Sequence, residues 1–154
     1  MPTKKQRAVS TVGSSVGNQR FDLYRMAHGR IAEAMEKHFY LEAITLIESI
    51  ATDRLESRLS VLTKTNYGFM NLGPLIVDIR KHETDSILLA VVDQELDTWR
   101  IMRNEAVHEM AKLAVGDVST WEDRVQVLVI VAEEGLEVLR KMTNRVRLLK
   151  RAAK

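Results

Sequence analysis

The chain has 154 residues, of which 45% are hydrophobic, 29% charged and only 5% aromatic, a profile typical of one helical domain rather than a sheet-rich or disordered chain. It contains no cysteine, which excludes a disulfide framework, a thiolate metal centre and a cysteine nucleophile. The net charge of +2 is unevenly distributed, because residues 1–20 and 140–154 carry basic side chains and no acid, and all 21 acidic residues lie between them. Basic ends can follow a phosphate backbone by counterion release, although solubilising or frayed ends have the same composition.

No uninterrupted apolar stretch is long enough for a membrane span or a secretion signal. The longest apolar stretch runs from Val125 to Ala132 and is interrupted by Gln126. We therefore expect a cytoplasmic protein with no membrane contact.

The first part of the chain predicts a leader followed by two helices. Residues 1–19 contain Gly and Ser without periodicity, which predicts a flexible basic leader. A single helical domain is expected over residues 20–150, with residues 151–154 as a basic C-terminal end. Apolar residues at steps of three and four predict a helix over Phe21–Lys37 and a second, uninterrupted by Pro or Gly, over His38–Thr63.

The second part of the chain predicts three more helices. A turn-rich cluster at residues 66–74 reverses the chain and leads into a short helix over Pro74–Lys81. A long helix is expected over Asp85–Leu113, and the spacing of Ser119 and Glu122 suits a capping box at the start of the last helix. With no convincing strand, the predicted fold is all-α: a four-helix up-and-down bundle with a short connecting helix.

Arg103, Asn104 and His108 form the candidate catalytic group. On a wheel of about 100° per residue they lie on a flank beside the apolar face of the long helix. Imidazole can transfer a proton near neutral pH, guanidinium can clamp a phosphate, and the amide can position either. Arg103 and His108 are about 140° apart, so one helix does not close the site and a two-fold partner would be needed. The alternative is a surface cation and a solvated or capping histidine.

The run from Trp99 to His108 resembles the signature of the HEPN superfamily, which is an Arg, a polar residue, three further residues and a His, late in a four-helix bundle. The segment 41–59 also resembles the second helix of such bundles, and the likeness covers about residues 38–113. The resemblance implies a homodimer with a composite site that cleaves RNA without a metal, leaving a 2′,3′-cyclic phosphate. Many such proteins are toxins or phage-defence effectors, often restrained by an antitoxin protein.

Other polar residues have supporting roles in this prediction. Glu48 and Asp53, on the second helix, are candidates for orienting Arg103 or His108 from behind. The candidates for RNA binding are the basic side chains of the last helix, Arg140, Lys141, Arg145 and Arg147. No glycine-rich phosphate loop or metal-ligand spacing stands out, so we expect neither a cofactor nor a metal. The competing hypothesis is a non-catalytic HEPN-like helical module that binds a protein or a nucleic acid.

Overall fold

The computed structural model describes residues 4–154, and these residues contain helices and no β-strand. The elements are α1 (Val16–Glu36), α2 (Tyr40–Thr63), α3 (Leu72–His82), α4 (Ser86–Ala90), a π-helical segment (Val91–Leu96), α5 (Asp97–His108) and α6 (Trp121–Ala152). The predicted all-α class is confirmed. Within the described range, no helix is both long and apolar enough to cross a membrane.

Helix α2 is the central element, because it packs against α1, α3 and α6. Its buried side chains recur at steps of three and four, at Ile44, Ile47, Ala51, Leu55 and Leu59. This spacing places them on one broad face, which is buried in the apolar core.

Trp99 fixes how α5 crosses α6. Its indole is almost fully buried and its Nε1 donates a hydrogen bond to the carbonyl of Val131, 2.8 Å away. Gly135 lies against the indole, and a Cβ there would stand 2.7 Å from Nε1. Only glycine lets the helices approach this closely, so the pair sets the position of α5 and of the side chains one turn beyond Trp99.

The predicted long helix contains an irregularity. Residues 91–96 form a π-helical segment between α4 and α5, in which each turn holds more residues than in an α-helix. A regular wheel places Glu95 among the core positions, but in the structure its carboxylate is at the surface and accepts a bond of 2.7 Å from Lys141. Wheel angles measured from Arg103 therefore apply within α5 and not upstream of it.

The predicted flexible leader is wrong for part of its length. Residues 16–19 belong to α1, and the Lys5 carbonyl accepts a hydrogen bond of 2.9 Å from the Phe69 amide. Arg7 is 7% exposed and binds the Asp53 carboxylate through two nitrogens. A buried arginine and a few backbone hydrogen bonds anchor this segment, and such isolated contacts leave no periodic pattern in the sequence. Residues 1–3 of the predicted leader lie outside the described residues.

The predicted end of the long helix at Leu113 is also wrong, because α5 ends at His108. Arg124 holds the segment that follows. Its Nη1 donates to the carbonyls of Glu109, Met110 and Lys112, at 2.5, 3.0 and 2.7 Å. These bonds satisfy carbonyls that a continued helix would otherwise satisfy, and they fix the chain directly after His108.

The boundaries of α6 differ slightly from the prediction. The capping box is formed by Thr120 and Asp123, one residue after the predicted pair Ser119 and Glu122. Both pairs have the required spacing, but the Thr120 backbone is extended, as an N-cap must be, and its hydroxyl accepts from the Asp123 amide. The helix continues to Ala152, into the predicted C-terminal end.

Candidate active site

A cavity of about 490 Å³ lies where α2, the start of α3 and the end of α5 meet. Arg103, Asn104 and His108 all line it. Their positions on one flank of α5 turn all three toward the same neighbours. The structure thus brings the three residues of the sequence motif into one cavity.

Arg103 is held by Glu48, the one carboxylate that α2 contributes to the cavity. The Arg103 side chain is 13% exposed, its Nη2 donates to Glu48 Oε1, and its buried Nε has no hydrogen-bond partner among the described residues. Burial lowers the pKa of the guanidinium from its usual value, because the charged form loses hydration. A second acceptor, such as a phosphate oxygen, would complete the hydrogen bonds of this group. Glu48, one of the two predicted supporting acids, thus lies in contact with Arg103, and its role in orienting that side chain stays a prediction.

The side chains of His108 and Asn104 have no polar partner in the part of the chain that the structure describes. His108 is exposed at the last position of α5, and Asn104 is half-buried one turn earlier. Within residues 4–154, neither side chain takes part in a hydrogen bond or an ion pair. Both groups are therefore available to a ligand, the imidazole as a proton donor or acceptor and the amide as a positioning group.

The start of α3 forms the opposite wall, which sequence reasoning missed. The first-turn amides of Leu72 and Gly73 have no partner within their helix, and the Asn71 side chain does not cap them. Amides in this position carry the positive end of the helix dipole and favour an anion. The only sequence signal was Pro74, which predicted a helix start near this point but not its direction toward Arg103.

Arg100 is the second missed residue. Its side chain covers Gly73, and its Nη1 lies 3.8 Å from where a Cβ of that glycine would be. Its Nε binds Asp97 at 2.8 Å, which leaves other guanidinium nitrogens at the cavity. Two arginines and a helix N-terminus face a single carboxylate, so the cavity favours an anionic ligand.

Asp53 does not belong to this site, so its predicted role behind Arg103 or His108 is wrong. The carboxylate binds Arg7, Tyr24 and Arg20 between the N-terminal segment and α1. The physical reason is helix geometry: five residues after Glu48 on α2, Asp53 is rotated by about 140° and faces α1 instead of α5.

Ion pairs hold three of the four predicted RNA-binding side chains of α6: Arg145 with Asp85, Lys141 with Glu95, and Arg140 with Glu137. The Arg145 pair is bidentate, at 2.9 and 2.5 Å, and it lowers the pKa of Asp85 to about 2. The fourth, Arg147, lines a cleft with His28 between α6 and α1. None of the four lines the Arg103 cavity, and their role in RNA binding stays a prediction.

Comparison with known proteins adds no relative to this description. No family model matches the chain, and no match was found among curated proteins or solved structures. Among residues 4–154, no three His, Asp or Glu side chains are grouped so that they could hold a metal ion. The site is therefore described by the chemistry of its own side chains.

Proposed function

We propose that the protein is a metal-independent endoribonuclease of HEPN type that acts as a homodimer. The observation that supports this best is the convergence of Arg103, Asn104 and His108 in one cavity that also receives Arg100 and the N-terminus of α3. The proposed substrate is an RNA phosphodiester, since the cavity combines an excess of positive charge with an unpaired imidazole. A role as a toxin or phage-defence effector, with an antitoxin partner, is implied by the HEPN resemblance alone.

In the proposed reaction, the ribose 2′-oxygen forms a bond to the adjacent phosphorus while the bond from phosphorus to the 5′-oxygen breaks. The 2′-hydroxyl loses a proton and the leaving 5′-oxygen gains one, which yields a 2′,3′-cyclic phosphate and a 5′-hydroxyl. His108 transfers one of these protons, Arg103 stabilises the extra negative charge on the phosphoryl oxygens, and Asn104 positions the phosphate. Glu48 acts through Arg103, as a positioning residue.

A second copy of the chain would supply the second proton-transfer group. One exposed apolar segment supports this part of the proposal: Leu113, Val115 and Val118 follow His108 and are 79%, 107% and 92% exposed. Arg124 binds the start of this segment, so the apolar side chains are presented on ordered backbone. We propose that this apolar segment packs against the same segment of a second copy, related to the first by a two-fold axis. This contact brings two His108 side chains toward one phosphate. The proposed fold of each chain is a four-helix up-and-down bundle.

The central experiment measures cleavage of single-stranded RNA and of tRNA by the purified chain in EDTA. We expect Arg103→Ala and His108→Ala each to lower the rate by a factor on the order of 10² or more, with a cyclic phosphate on the wild-type products. The matched controls are Arg25→Ala and His82→Ala, which remove an exposed arginine and an exposed histidine that do not line the cavity. Rates that stay unchanged in both cavity variants would remove the proposed site.

Glu48→Gln separates positioning from contact with the substrate. The amide keeps the shape of the side chain but loses the charge that pairs with Arg103, so we expect a smaller loss than in Arg103→Ala, seen mainly in kcat. If the wild-type chain binds RNA but never cleaves it, and the cavity variants change neither property, the non-catalytic helical module becomes the better description.

A further inference from the structure

A larger cavity, of about 540 Å³, lies between the N-terminal segment, α1, α2 and the loop before α3. It shares no lining residue with the Arg103 cavity. Its volume falls within the range that is usual for small-molecule sites. Nothing in the proposed ribonuclease reaction uses it.

One side of this cavity is apolar and open. Leu23 on α1 and Phe69 on the loop before α3 both line it, yet they are 68% and 54% exposed. Ala27, Ile50 and Met70 continue the apolar lining inward. When an apolar ligand group covers large apolar side chains at the mouth of a pocket, their surface is removed from water and the complex is stabilised.

The other side of the cavity is charged, since two arginines and two acids line it: Arg7, Arg20, Asp53 and Glu56. Arg7 and Arg20 both pair with Asp53, whose second oxygen also accepts from the Tyr24 hydroxyl. Arg54 lies outside the lining and stacks on the Tyr24 ring at 4.1 Å. Asp53 is thus already surrounded by donors.

Arg20 still has donor capacity. Its Nε is 3.4 Å from Asp53 and its Nη2 donates to the Ala8 carbonyl at 2.7 Å, while no partner within residues 4–154 receives a bond from its Nη1. Because the side chain lines the cavity and is 22% exposed, a ligand can reach it.

Glu56 is the second unsatisfied group of the cavity. It is 3% exposed, and the one hydrogen bond its carboxyl receives in the described residues comes from the Met70 amide, at 2.9 Å. Burial raises the pKa of this carboxyl, because its charged form is poorly hydrated. In its neutral form Glu56 can donate a hydrogen bond to an anion.

We propose that this cavity binds a small amphiphilic carboxylate. The apolar tail lies against Leu23 and Phe69, and the carboxylate accepts a hydrogen bond from the Arg20 guanidinium. An amine with the same tail offers Arg20 no acceptor, and an alcohol accepts from Arg20 without a charge of its own, so both bind less well.

The test uses the full chain with sodium octanoate, octylamine and octanol, each below its micellar concentration, in titration calorimetry and in amide NMR. We expect octanoate to bind about tenfold or more tightly than either relative, with shifts at Leu23, Ala27 and Phe69. Equal binding of all three probes, preference for octylamine, or shifts elsewhere would overturn the proposal.

Variants at the mouth and at the charged end of the cavity test where octanoate binds. Leu23→Asp places a carboxylate at the mouth, and Met26→Asp is its control on the same helix, equally exposed at 68% and outside the lining. We expect the first to weaken octanoate binding by about tenfold or more and the second to leave it unchanged. Arg20→Met should weaken it likewise, and Arg103→Ala should not affect it. If Leu23→Asp binds octanoate like the wild type, the carboxylate does not occupy this cavity.

Discussion

Replacing Gly135 by alanine tests the contact that positions α5. The new Cβ would lie 2.7 Å from Trp99 Nε1 and 2.8 Å from two ring carbons, whereas ordinary contacts begin at 3.4 Å, so α5 and α6 must separate locally by about 0.7 Å. Overpacking of this kind typically costs about 1 to 3 kcal/mol. Loss of the indole hydrogen bond to Val131 leaves a buried donor unpaired, at a further cost of about 1 to 3 kcal/mol.

The better helix propensity of alanine offsets about 1 kcal/mol of this loss, so we expect Gly135→Ala to lower the free energy of unfolding by about 3 kcal/mol. In a chain of this size the melting temperature should fall by about 6 to 12 °C. Urea unfolding followed by tryptophan fluorescence and by circular dichroism measures the change.

Gly29→Ala is the matched control, because Gly29 lies within α1 and a Cβ there would meet nothing within 4 Å. It should stabilise the chain by about 0.5 to 1 kcal/mol. If the two variants have the same stability, Gly135 is not required by the close approach of Trp99. The position of Arg103 would then have to be set by other contacts.

Two further predictions concern arginine contacts outside the Arg103 cavity. The pKa of Asp85 is held at about 2 by Arg145, below its usual 3.8, so this pair stabilises the fold above about pH 4 and its contribution is lost as the pH falls toward 2. Between about pH 4 and pH 2, the free energy of unfolding of Arg145→Met should depend less on pH than that of the wild type. The control variant, Arg25→Met, should behave like the wild type. If the two variants give identical acid-unfolding curves, Arg145 does not lower the pKa of Asp85. Arg124→Met should speed amide hydrogen exchange in residues 109–120, because the variant loses the hydrogen bonds to three carbonyls of that segment. Unchanged exchange rates would show that other contacts order the segment.

The sequence was sufficient where the determinants are local. The step of three and four in α2 predicts its buried face, because side chains at these intervals share one side of any α-helix. The same rule placed Arg103, Asn104 and His108 on one flank, and the structure finds them in one cavity. A chain without cysteine and with few glycines and aromatics was correctly assigned to the all-α class.

Contacts between distant segments were decided only by the tertiary structure. Glu48 and Asp53 are both acids of α2, and only the packing of the other elements around α2 determines that Glu48 meets Arg103 while Asp53 meets Arg7. The direction in which the N-terminus of α3 points cannot be read from Pro74, because a turn fixes where a helix begins and not which cavity it faces. Periodicity describes one helix at a time, and the site is formed by side chains and amides from three.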